Sequence, residues 1–147
     1  MDIRKCSYIF VYEIIRRHKI ITMPINKPTE SELEILQILW EHGPVPVRFV
    51  HDILATQKTV GYTTTLKLMQ IMAEKGLVNR DTTNRTHIYV AAISEEQTQQ
   101  QLLDKFVEGT FRGSAMKLVM QALGNNTASK EELDQIKALI QKIENEK

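Results

Sequence analysis

GYTTTLKLMQIMAEKGLVNRDTTNRTHIYV, residues 61–90, reads as one helix followed by a hairpin. Gly61 precedes the helix and Gly76 follows it, the latter placed as a C-terminal glycine. The spacing predicts a helix from about Tyr62 to Lys75 with Thr65, Leu68, Met69 and Met72 as its inward stripe. Thr63, Thr64, Leu66, Lys67, Gln70 and Ile71 are left for the outside or the rim. Leu66 reads two ways, as a contact to thymine methyls or as core. Leu77-Val78-Asn79-Arg80 and Thr86-His87-Ile88-Tyr89-Val90 then read as strands, with polar Asp81-Thr82-Thr83-Asn84-Arg85 as the turn between them.

Two more helices precede this segment. Thr29-Glu30-Ser31-Glu32 has the pattern of a capping box, in which the threonine hydroxyl and the glutamate each satisfy an amide of the first turn. Leu33, Leu36, Leu39 and Trp40 follow at helical spacing, and Gly43-Pro44 stops the helix. A second helix is expected to begin at Pro46, where a missing N–H costs nothing, with Val50, Ile53 and Leu54 as its stripe. Val45 is a poor N-cap for it.

Three short helices and a hairpin suggest a winged helix-turn-helix, whose third helix enters the DNA major groove while the hairpin lies along the backbone. The residue types suit that use. Tyr62, Thr63 and Thr64 place hydroxyls and free amides at a helix amino end, which suits phosphate oxygens. Lys67 lies one turn further on, Leu66 beside it. Lys58 precedes the helix, and Arg80 and Arg85 flank the turn. Residues 58–90 carry five Lys/Arg against two Asp/Glu, a local charge of +3. Segregated charge of this kind gives a basic face to a domain whose total is neutral.

The rest of the chain divides by charge and pattern. Residues 1–22 carry +3, residues 23–93 sum to zero and residues 94–147 carry −2. The first segment reads either as a short amphipathic helix or as an upstream extension before a start at Met23, and no chemistry is assigned to it. Residues 23–93 form the winged helix-turn-helix. Residues 94–147 read as helical: Ser94-Glu95-Glu96-Gln97 and Ser129-Lys130-Glu131-Glu132 are further capping boxes, and Gly109 and Gly113 bracket an expected break. Leu102 and Phe106 share one face. Residues 114–123 hold Met116, Leu118, Val119 and Leu123 with Lys117 as their one charge, and Ile136 and Ile140 recur at helical spacing near the end. A ten-residue helix that is apolar nearly all round is not satisfied by one neighbour. A second copy of the chain would cover it, and a two-fold dimer predicts an inverted-repeat operator.

Composition excludes several other classes. The chain has 147 residues, 42% apolar and 25% charged, in the range of a soluble globular protein. One cysteine, Cys6, and four scattered histidines support neither a disulfide scaffold nor a Cys-rich metal centre. No apolar run approaches a membrane span, and the chain reads as cytoplasmic. No nucleophile elbow, HExxH, phosphate loop or dinucleotide glycine pattern is present, so no enzyme activity and no cofactor is expected. His42 and His51, near Glu41 and Asp52, read as surface residues.

Lys27 to Leu36, followed by Leu39-Trp40 and Gly43-Pro44, resembles the opening of the penicillinase-repressor family (BlaI/MecI/CopY type). Gly61-Tyr62-Thr63-Thr64-Thr65 with Lys75-Gly76-Leu77 and the strand pair ending at Tyr89 extend the resemblance, which covers about residues 25–145. It implies a dimeric winged-helix repressor of a resistance or metal-homeostasis operon, released in the antibiotic branch through a membrane metalloprotease sensor. It also implies DNA contacts from Tyr62, Thr63, Thr64 and Lys67, and from Arg85 in the wing. Two family features are missing. The tail lacks the Cys-x-Cys pairs of the copper-responsive branch, and no Asn-Phe bond is present as a cleavage site. Two further readings stand beside the repressor: a winged helix that binds protein, and a regulator responsive to a small ligand.

Overall fold

The computed structural model describes residues 27–125 and 128–147, so the expected extension 1–22, with Cys6, lies outside the described residues. Helix α1, Glu30–His42, starts on the capping box: Thr29 Oγ1 accepts from the Glu32 amide at 3.4 Å and Glu32 Oε2 accepts from the Thr29 amide at 2.8 Å. Gly43 ends it at φ 74°, a left-handed value that glycine adopts without a Cβ penalty.

The second helix begins later than the sequence suggests. Val45–Pro46 is a two-residue strand, β1, and α2 runs Val47–Gln57 with Pro46 as its N-cap at φ −74°, ψ 162°. The cause is tertiary: Val45 pairs with Tyr89 and Pro46 with Ile88, which holds both residues extended. Helix α3, Tyr62–Glu74, follows. Its end is a Schellman turn at Gly76, φ 77°, in which the Leu77 amide donates to Met72 O and the Gly76 amide to Ala73 O. Strands β2, Val78–Asp81, and β3, Ile88–Ala91, complete an antiparallel sheet of order β1-β3-β2. The central strand is therefore the second half of the hairpin.

The core of this unit forms where the three helices meet the sheet. Ile35, Leu36, Leu39, Val50, Leu54, Met69, Met72, Leu77 and Tyr89 are all buried in one cluster. Leu68, expected to point inward, packs at the edge of the cluster rather than inside it. Trp40 Nε1 donates to Ile93 O at 3.0 Å, which ties α1 to the chain leaving the sheet. Glu32 is also buried. Its carboxylate accepts from Lys75 Nζ at 2.6 Å, an ion pair joining the first turn of α1 to the C-cap of α3.

The chain divides into two units, one ending at Gln99 and the other spanning Gln100–Lys147. The division falls inside helix α4, Glu95–Phe111, a few residues beyond the expected boundary at 93. Thr98, buried and donating to Ser94 O at 2.7 Å, belongs to the first unit. Gly109 does not break α4. The break comes at Arg112 and Gly113, both at positive φ. Ser114 then caps α5, Ala115–Gly124, and a capping box at Ser129 and Glu132 starts α6, Lys130–Asn145. Neither α5 nor α6 has a buried residue. Among the described residues, no helix is long and apolar enough to cross a membrane.

The protein is thus mainly helical with a small antiparallel sheet: a winged helix-turn-helix followed by a helical segment.

Candidate nucleic-acid interface

Helix α3 starts at Gly61, whose lack of a side chain leaves the amides of the first turn without a side-chain cap. Its carbonyl accepts from the Thr64 and Thr65 amides at 3.1 Å. The amides before them have no partner within the helix, as at any helix start, and are suited to an anion. Thr63, Thr64 and Lys67 are exposed. Lys67 is three residues from Thr64 and four from Thr63, so its side chain neighbours both on the helix surface. Thr65 turns the other way: it is buried, and its hydroxyl lies 3.4 Å from Gly61 O and 3.5 Å from His51 Nδ1.

Tyr62 projects from the same end. Its ring packs edge-on against His51, centroids 5.5 Å apart, and the Arg48 guanidinium lies over it at 5.9 Å. Arg48 also pairs with Asp52 at 3.2 Å along α2. Two side chains of α2 therefore hold the tyrosine that opens α3.

The wing turn is ordered by Asp81, whose Oδ1 accepts from the Thr83 amide at 2.9 Å and the Thr83 hydroxyl at 2.7 Å. Those bonds hold the Asp81 carboxyl below the usual carboxylate range. Past this turn, Arg85, Thr86 and His87 are exposed. They face Tyr62, Leu66 and Arg48 across an open cleft of about 250 Å³ floored by Pro46, Val47 and Tyr89. Among the described residues, no carboxylate lines it.

The structure brings Tyr62, Leu66 and Arg85 together at this cleft and places Thr63, Thr64 and Lys67 on the exposed face of α3. Three of the expected contact residues sit apart from that exposed face. Leu66 is half-buried: it packs against the core and also lines the cleft. Lys58 forms an ion pair with Glu34 of α1, and this carboxylate offsets its charge. Arg80 lies on β2, exposed and paired in register with Tyr89, outside the cleft.

Arg48, His51 and His87 were not picked out as interface residues by the sequence. His87 lies in the hairpin, where a polar turn residue carries no distinguishing signal. Arg48 and His51 sit on α2, and their approach to Tyr62 depends on how α2 packs on α3.

In the second unit the expected dimer residues differ in exposure. Phe106, Met116, Val119 and Ile140 are exposed, with Met116 at 69%, while Leu102, Leu118, Leu123 and Ile136 are half-buried. Leu123 and Ile136 share one hollow between α5 and α6.

A family model described as penicillinase repressor matches residues 28–142. The penicillinase repressor of Bacillus licheniformis is 22% identical over 123 residues, covering 84% of this chain and 96% of that protein. Among solved structures, the Bacillus licheniformis BlaI monomeric form in complex with the blaP half-operator is similar at 24% identity and TM-score 0.44. That match covers 49% of this chain and 88% of the other. A probable transcriptional regulator from Pseudomonas aeruginosa is similar at 17% identity and TM-score 0.39, over 95% of this chain and 89% of the other.

Proposed function

The chain belongs to the penicillinase repressor family, and from that membership we propose that it is a homodimeric transcriptional repressor that binds an inverted-repeat DNA operator. The observation that carries the DNA reading is the face of α3: exposed Thr63, Thr64 and Lys67 beside an uncapped amino end, with Arg85 of the wing across the cleft. Hydroxyls, free amides and a lysine in this arrangement are donors for phosphates and base edges.

The dimer is supported by α5 and α6, which bury no residue within the chain while Met116, Val119 and Ile140 stand exposed. Large apolar side chains left exposed on two helices are the material of an association surface. A second copy is the commonest partner for such a surface, and it sets two α3 helices for two half-sites. The proposed setting is the cytoplasm, and the proposed control is the one the family resemblance implies: a resistance or stress operon relieved through a membrane protease sensor. Because the chain contains no Asn-Phe bond, any cleavage falls at a different bond.

Fluorescence anisotropy with the DNA upstream of the protein's own gene, at two salt concentrations and with scrambled duplex as competitor, tests the reading. A repressor of its own gene binds that DNA tightly, loses affinity steeply with salt and resists the scrambled competitor. Salt-insensitive binding, or none to any duplex, overturns it.

A further inference from the structure

The cleft between α3 and the wing contains a cation that the family resemblance did not bring forward. Arg48 comes from the first turn of α2 and Arg85 from the hairpin, and both line the same open space. At about 250 Å³ this space is smaller than the ~300–1,000 Å³ of enclosed small-molecule sites. It suits an extended anion that passes through rather than a molecule that is engulfed. Its rim holds the two arginines Arg48 and Arg85, with His87 beside them, and none of the described residues lining the cleft is a carboxylate.

Arg48 does have one counter-charge, Asp52, 3.2 Å away on the solvent side of α2. Their side chains are 72% and 59% exposed. An exposed i,i+4 pair is weak, and another anion can readily replace its carboxylate. The Arg48 guanidinium also lies over the Tyr62 ring, 5.9 Å from its centroid, a second contact that does not involve the carboxylate.

We propose that this cleft receives one phosphodiester strand of duplex DNA, with Arg48 and Arg85 as the two cations that grip it and Asp52 as the counter-charge that the strand displaces. The inference rests on the DNA-binding reading above and extends it to a backbone contact made by α2. A phosphate between a helix arginine and a wing arginine fixes how far the wing stands from α3, and so the register in which Thr64 and Lys67 meet the bases. Arg48 is then a positioning residue, contributing affinity without sequence preference.

The test uses the full chain and two duplexes, the DNA upstream of its own gene and a mixed-sequence duplex of equal length, across a salt series. Arg48→Ala is expected to weaken both by the same factor, about tenfold, and to lower the slope of log affinity against log salt by about 0.9 for each protomer engaged. Arg48→Lys retains most of that slope, which loss of a merely structural contact with Tyr62 would not explain. Asp52→Asn tightens both duplexes. If the wild type binds and Arg48→Ala leaves the slope unchanged, the clamp is wrong while the repressor reading stands. Weakening confined to the upstream DNA also overturns it, because that is base reading. If the wild type shows no salt-dependent binding to either duplex, the repressor reading fails and takes this inference with it.

Discussion

Lys75 Nζ donates to Glu32 Oε1 at 2.6 Å, joining two residues 43 positions apart. Glu32 is the capping-box glutamate of α1 and Lys75 the C-cap of α3, so one carboxylate accepts from the Thr29 amide at the start of one helix and from the lysine at the end of another. Burial pushes the Glu32 carboxyl up, but the bonds from Lys75 and Thr29 outweigh it and hold the group below the ordinary glutamate value.

The pH dependence follows from that direction. A carboxyl depressed in the folded state contributes stability that is complete above about pH 5 and is lost as pH falls through its folded value. Glu32→Gln should cost about 1–2 kcal/mol at neutral pH. Its deficit should shrink as acid titrates the wild type, as followed by urea unfolding from pH 7 to pH 3.5. A deficit that stays constant over that range would remove the ion pair from the account.

Thr64→Ala combined with Lys67→Ala should abolish preference for the operator while leaving the fold and the dimer intact. Both side chains are exposed and neither belongs to the core. Competition anisotropy against scrambled duplex reads the preference, and circular dichroism reads the fold. An unchanged preference would move base recognition off this face of α3.

Val119→Asp should split the dimer. Val119 is 48% exposed in the single chain, so the change leaves the monomer's packing largely alone. In an apolar interface an unpaired carboxylate costs several kcal/mol. Sedimentation velocity should show monomer at concentrations where the wild type is dimeric. A persistent dimer would place the interface elsewhere.

Tyr89→Phe should be neutral or stabilise the protein by up to about 1 kcal/mol. The Tyr89 hydroxyl is buried and has no hydrogen-bond partner among the described residues, so removing it relieves an uncompensated desolvation and leaves the ring in the core. Chemical denaturation gives the sign. Clear destabilisation would mean that the hydroxyl is satisfied in solution, for example by a bound water.

Most of the helix boundaries were legible because their signals are local. The boxes at Thr29 and Ser129, the glycine at 76 and the stripe Thr65, Leu68, Met69 and Met72 act over three or four residues, and each holds in the structure except at Leu68, which sits at the edge of the core. The candidate site was legible in part for the same reason. An amino-terminal helix end rich in hydroxyls and a basic turn can be recognised from spacing alone, although whether Leu66 faces core or groove cannot. Gly109 misled because one glycine within a helix weakens it by only about 1 kcal/mol and does not stop it. The stop comes where Arg112 and Gly113 turn to positive φ.

Residue order alone therefore carried the succession of helices and hairpin, the hydroxyl-rich start of α3 and the apolar surplus of the tail, since each is written in neighbours along the chain. Tertiary packing decided the rest. It made Val45–Pro46 a strand by pairing it with β3, offset the charge of Lys58 with Glu34, and drew Arg48 and His51 to Tyr62. Each of those contacts joins residues more than a helical turn apart in sequence. Its existence depends on where whole elements come to rest against one core, and no local pattern encodes that.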